Sequence, residues 1–288
     1  MMDYFVLIVG FLSIAVSSFL GGFYSRKNGE QRGAVPFYTL IYMVAATVGW
    51  AILYGTDPVF EPGVLLYSLI FCIGFTGANI MTLLAARCGP VSLSNLFLQL
   101  ALIATALWGI FFWNAPWNLT VGLGLLLVVV SLVLILVQKG GGEKITLKWF
   151  FFAFCSFLFN ATCAIAGRAQ QLAYEGQYGN MMMFFAIALS TVICLVRYLM
   201  ERPQNPVALL KKSGWLPVAG GGLNVLHNFV VLLLVRSSLS SSLIYPVLAV
   251  GSIGINAVAS WLILKERLSL RQWLGLGCGA LAAMLLSL

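Results

Sequence analysis

The stretch V-S-L-S-N-L-F-L-Q-L-A-L-I-A-T-A-L-W-G-I-F-F-W, residues 91–113, runs for 23 positions without a charged side chain. A helix that crosses the hydrocarbon core of a bilayer needs about 20 such residues. The same stretch contains A-T-A-L-W at 104–108, which returns 153 positions later as A-V-A-S-W at 257–261. The first observation predicts a membrane-spanning helix, and the second predicts that the helix has a counterpart in the other half of the chain.

The rest of the sequence agrees with the first expectation. Of 288 residues, 61% are hydrophobic and only 8% are charged. A soluble domain carries about a quarter of its residues as charges, and one of this size could not bury so much apolar surface. Disorder is excluded by the same figures. Ten apolar segments can be read, about Tyr4–Tyr24, Ala34–Tyr54, Gly63–Ala86, Val91–Trp113, Leu119–Gln138, Trp149–Ala173, Asn180–Leu199, Trp215–Val235, Ser241–Leu264 and Leu270–Leu288. Every connection is short, which leaves no room for a soluble domain. The unbroken runs favour helices over the alternating pattern of a β-barrel. No signal-peptide pattern precedes the first run. The expected localisation is the cell membrane, as a multi-pass protein.

The second expectation rests on shared offsets. Gly122-Leu-Gly124 recurs as Gly275-Leu-Gly277 at the offset of 153, while Asn79 and Arg87 recur as Asn228 and Arg236 at 149. The change falls in the Ser-rich turn 237–242, a natural place for an insertion. The expected fold is all-α and integral to the membrane: ten transmembrane helices as two five-helix repeats, 1–140 and 141–288. Five is odd, so the second repeat enters the bilayer from the opposite side, an inverted repeat of the kind many secondary transporters use.

The net charge of +8 is spread over short connections, which reads as topology control and predicts no nucleic-acid partner. The odd-numbered loops and their flanks hold Arg26, Lys27, Arg32, Arg87, Lys139, Lys144, Lys148, Arg197, Arg202, Lys211, Lys212, Lys265, Arg267 and Arg271. The remaining cations are Arg168 and Arg236. The positive-inside rule then places the odd loops in the cytoplasm and both termini outside.

Candidate site residues are the polar groups inside apolar segments, since leaving them against lipid is expensive. Asn224, His227 and Asn228 are spaced i, i+3, i+4 and share one helix face. Tyr245, Ser252 and Asn256 form a second stripe, Ser92, Asn95 and Gln99 a third; Asn79 and Asn160 come from two further segments. One reading makes these stripes the wall of a central substrate cavity. The other makes them glue between helices. Arg168 is expected to snorkel to the interface, Glu266 to sit in a solvated turn, and the tryptophans to form an interfacial belt. One histidine and the lack of any C-x-x-C give no metal site, no cofactor motif occurs, and H-E-x-x-H, G-x-S-x-G and the P-loop are all missing. The chain is therefore not expected to be an enzyme.

Three passages also resemble the drug/metabolite transporter superfamily, in particular its EamA-like branch. They are Ser242–Leu243–Ile244–Tyr245–Pro246, then Leu264–Lys265–Glu266–Arg267–Leu268–Ser269, then Gln272 with Gly275–Gly279. The first half has Pro90 and the Gly122/Gly124 pair, but Trp113 stands where the second half has Glu266. The resemblance implies transport of small organic solutes by alternating access through a cavity between the halves. It also implies cytoplasmic termini, the reverse of the loop charges. The expected partners are a small organic solute and the lipid bilayer. A wall of neutral amides and hydroxyls favours a polar, zwitterionic or cationic metabolite over a phosphate, which would need buried cations. The alternative from another class is a non-transporting membrane scaffold or assembly partner.

Overall fold

The structure is a computed structural model that describes residues 2–28, 31–113, 117–136, 145–235 and 241–286. Its regular elements among these residues are all helices. In chain order the helices are α1 (Met2–Asn28), α2 (Ala34–Gly55), α3 (Val64–Cys88), α4 (Val91–Gln99), α5 (Ala101–Phe112), α6 (Leu119–Leu136), α7 (Leu147–Ala173), α8 (Gly179–Met200), α9 (Pro206–Ser213), α10 (Trp215–Val235), α11 (Ser241–Ile263) and α12 (Leu270–Leu286). Six of them, α1, α2, α3, α7, α8 and α10, are long and apolar enough to cross a membrane, and α6 and α11 contain shorter apolar runs. By length and composition this is a multi-pass membrane protein.

The burial pattern is that of a protein solvated by lipid. Phe5, Leu66, Phe111, Leu119, Leu147 and Leu262 are exposed, while Ser68, Ser94, Ser131, Ser156, Ser190 and Ser260 are fully buried. A water-soluble protein does the opposite. With no hydrophobic drive between helices in lipid, small residues and interhelical hydrogen bonds bring them together. Gly74 shows why: a Cβ there would stand 2.7 Å from the Phe159 carbonyl oxygen, so α3 and α7 meet backbone to backbone. The seam between α6 and α12 works the same way, with the Ser131 hydroxyl donating 2.7 Å to the Gly275 carbonyl.

Helix starts follow local chemistry. Asn205 and Pro206 open α9, the Asn205 side chain accepting from Ala208 N. Thr146 caps α7 through Trp149 N. Ser269 and Gln272 form a capping box on α12: Gln272 Oε1 accepts from Ser269 N at 2.8 Å, and Ser269 Oγ accepts from Gln272 N at 3.3 Å.

The largest packed pairs are α3 on α7, α6 on α12, α1 on α10 and α2 on α8; α2 also meets α10, α3 meets α8, α1 meets α11, and α7 meets both α4 and α5. Two expectations need correction. The apolar segment Val91–Trp113 is not one continuous helix but is interrupted at Leu100, where α4 ends and α5 begins. The tryptophan belt is incomplete, because Trp50 and Trp149 are wholly buried. Trp149 is held inside by a hydrogen bond from its indole N–H to Ser94 Oγ, at 2.9 Å. Trp117, Trp215 and Trp261 do lie exposed.

Candidate functional site

The break at Leu100 organises the polar groups around it. Leu100 lies nine residues into the α4–α5 segment, about 14 Å along a helix. Its amide still reaches Leu96 O at 3.0 Å. The carbonyl of Leu98 also accepts from the side-chain amide of Asn160 on α7, at 2.8 Å. A side chain inserted into the backbone ladder is a recognised cause of such interruptions. In the bilayer interior, an interrupted helix is tolerated where neighbouring protein satisfies the freed groups.

On the other side of α4 a neutral seam joins it to α11. Asn95 Nδ2 donates to Asn256 Oδ1 at 2.9 Å, and Gln99 Nε2 donates to Ser252 Oγ at 2.7 Å. The Asn256 amide continues to Ser252 O at 2.9 Å. Asn95, Ser252 and Asn256 are buried and Gln99 is partly so. Asn95 Oδ1 is buried without a hydrogen-bond partner. A buried carboxamide oxygen left open is unusual, and it marks a position that can accept from water or a ligand.

The structure thus brings Asn95, Gln99, Asn160, Ser252 and Asn256 together around α4. It does not join the other candidates to them by any hydrogen bond among the described residues. Asn224 and Asn228 pair with one another on α10, where Asn228 Nδ2 donates to Asn224 O at 2.9 Å and to Asn224 Oδ1 at 3.2 Å. His227 turns to α1, its Nδ1 lying 2.9 Å from Gly10 O. A carbonyl only accepts, so Nδ1 carries the proton and Nε2 is the remaining acceptor. Asn79 donates to Phe75 O of its own helix at 2.9 Å. Tyr245 belongs to α11, but its side chain lies outside the described residues, as does most of the turn 237–242.

Glu266 is the residue that sequence reasoning placed wrongly. It is not in a solvated turn: it is 1% exposed. Its carboxylate accepts from Val91 N at 2.5 Å, from Ser92 N at 3.3 Å and from Ser92 Oγ at 2.6 Å. These are the donors at the start of α4, where the preceding Pro90 offers no capping side chain. A negative charge there also meets the positive end of the helix dipole. Arg26 approaches from α1, its Nη2 3.8 Å from Glu266 Oε1 and 3.4 Å from Gly89 O. The six-residue connection between α11 and α12 carries no sequence signal for this, since its neighbours Lys265 and Arg267 are exposed. Arg168 is exposed, with Nη1 3.5 Å from Gln171 Oε1.

No family model matches this chain, and no curated protein matches it in sequence. A solved structure described as "Crystal structure of protein" aligns over 98% of this chain and 97% of its own length, with a TM-score of 0.64 and 13% identity. At that identity the likeness shows the fold alone, and it extends over almost the whole chain.

Proposed function

We propose that this chain is a secondary active or facilitative transporter. It moves a small polar, zwitterionic or cationic metabolite by alternating access between two inverted five-helix halves, as in the drug/metabolite transporter superfamily. The observation that carries the reading is the interrupted helix α4–α5, with a neutral hydrogen-bonding network on both sides and an open buried acceptor at Asn95. Broken helices at membrane depth are where transporters of inverted-repeat design hold their substrates.

The packing supports the two-half arrangement. Exchanging the halves turns the α3–α7 pair into α10–α1, α2–α10 into α8–α3, and α1–α11 into α7 with α4 and α5. The α2–α8 and α6–α12 pairs map onto themselves. All of these pairs occur. Gln99 and Ser252, which correspond under the offset of 153, are hydrogen-bonded to each other. Two equivalent residues can touch only near the axis that relates them, so this bond marks the expected centre of the site.

A non-transporting scaffold is the second reading, and one observation favours it: the α4 and α11 stripes are bonded to each other. The test is uptake by the purified full-length protein in proteoliposomes. Candidate solutes come from a thermal-shift screen of amino acids, amines and sugars, because a ligand that binds only the folded state raises its melting temperature. Replacing Asn95 or Gln99 with Ala should abolish uptake while leaving folded protein in the membrane. Unchanged uptake in both variants removes those two residues from the site. A protein that neither responds to any solute nor transports one supports the scaffold.

A further inference from the structure

Away from the α4–α11 seam, a pocket of about 400 Å³ opens between the end of α1, the end of α3 and the start of α7. Its lining includes Ser25, Arg26, Arg87 and Lys148 with the apolar Leu84 and Phe152. The positive-inside bias accounts for cations at this face, yet it is indifferent to where they point. Cations that only orient helices spread into water and avoid one another, whereas these three border one concave space. Among the described residues, the carboxylate paired with this group is Glu266, beside Arg26, and its oxygens are already engaged by the start of α4. Neither Arg87 nor Lys148 has an ion-pair partner among the described residues.

We propose that this pocket binds an anionic phosphate group at the positive face of the membrane. Arg87 and Lys148 supply its charge-assisted hydrogen bonds, and Arg26 completes the positive surround. Phosphate suits the arrangement because its several acceptor oxygens can engage donors arriving from three helices at once. The pocket lies at helix ends, at the depth of lipid headgroups, and Leu84 and Phe152 give it an apolar side. Basic pockets between transmembrane helices are a known form of headgroup recognition. The phosphate can therefore come from an anionic phospholipid or from a soluble phosphate.

The experiment measures thermal unfolding of the purified full-length protein in detergent. The additions are phosphatidylglycerol, phosphatidylcholine or inorganic phosphate, at matched ionic strength. Two variants accompany the unaltered protein. Arg87→Gln with Lys148→Gln removes the pocket charges. Lys211→Gln with Lys212→Gln removes the same charge from α9, outside the pocket lining. The unaltered protein should be stabilised by phosphatidylglycerol, by phosphate or by both, and not by phosphatidylcholine. The pocket variant should need roughly tenfold more of the same additive, and the α9 variant no more than the unaltered protein. A response to phosphatidylglycerol alone identifies a lipid site; a response to phosphate includes a soluble one. Absence of any anion-specific stabilisation overturns the proposal, as does equal weakening by the two variants.

Discussion

Positions 113 and 266 are equivalent under the offset of 153, yet the chain treats them differently. At 266 a buried carboxylate reaches from the second half into the first and caps α4, with Arg26 beside it. At 113 a partly buried tryptophan ends α5, its amide bonded to Gly109 O, next to the stacked rings of Trp108 and Phe112, 4.2 Å apart. The neutral seam joins α4 to α11 as well. The junction at 266 is thus made by charge and the seam by amides and hydroxyls, while the aromatic stack near 113 lies within α5 itself.

The strongest way to break this contrast is Glu266→Ala. It leaves the start of α4 uncapped and Arg26 without its carboxylate, in a protein where replacements far away are partly accommodated by lipid. A loss of about 2–4 kcal/mol is expected, read as a lowered melting temperature in detergent. Glu266→Gln keeps the shape and one acceptor oxygen but loses the charge and turns an NH2 group toward donors of α4, so it should lose less than Glu266→Ala. An unchanged melting temperature in Glu266→Gln would show that charge contributes nothing at this face.

The seam should respond more gently. Asn95→Ala leaves the Asn256 carbonyl without its donor, and interhelical hydrogen bonds in membranes contribute about 0.6 kcal/mol on average and rarely exceed about 1.7. A double-mutant cycle of Asn95→Ala and Asn256→Ala should give a coupling of about 0.5–1.5 kcal/mol. A coupling near zero would mean that the amides do not depend on each other. The neutral seam would then be glue to neither half.

How legible this arrangement is in the sequence depends on which physics governs each part. Helices were readable because lipid imposes a minimum apolar length, and α2, α8 and α10 begin and end within a residue or so of the apolar runs. The interruption at Leu100 was not readable. Nothing in L-F-L-Q-L-A-L-I departs from helix propensity, and Asn160, which donates to Leu98 O, is 62 residues away in sequence. The stripes on α4 and α11 were readable as faces, but not that they face one another: periodicity gives direction around a helix and says nothing of the neighbour. Glu266 was misplaced for a related reason. A carboxylate between Lys265 and Arg267 looks solvated when only sequence neighbours are counted. The donors that hold it inside start 175 residues earlier. The recurrences at 153 are a pattern of the sequence, and Gln99 and Ser252, which that offset pairs, are hydrogen-bonded to each other.

The smallest expected effect is also the one that sharpens the comparison most. Trp113→Glu restores to the first half the residue that the second half has. If a carboxylate at this position were enough to latch a face, the variant should gain stability. The geometry argues against that. Glu266 succeeds because Val91 and Ser92 are the first residues of α4 and their N–H groups have no partners within the helix. The corresponding residues in the second half are Ile244 and Tyr245, and α11 already starts at Ser241. The N–H groups of Ile244 and Tyr245 are therefore at or beyond the first turn, with intrahelical acceptors available. The new carboxylate would find no row of open donors. Stability should change by no more than about 0.5 kcal/mol, the ordinary range for a substitution at a partly exposed position, as read by thermal unfolding beside Glu266→Ala. A gain above about 1 kcal/mol would mean that the start of α11 can receive a carboxylate as α4 does. The difference between the faces would then be one side chain, not the register of the helix start.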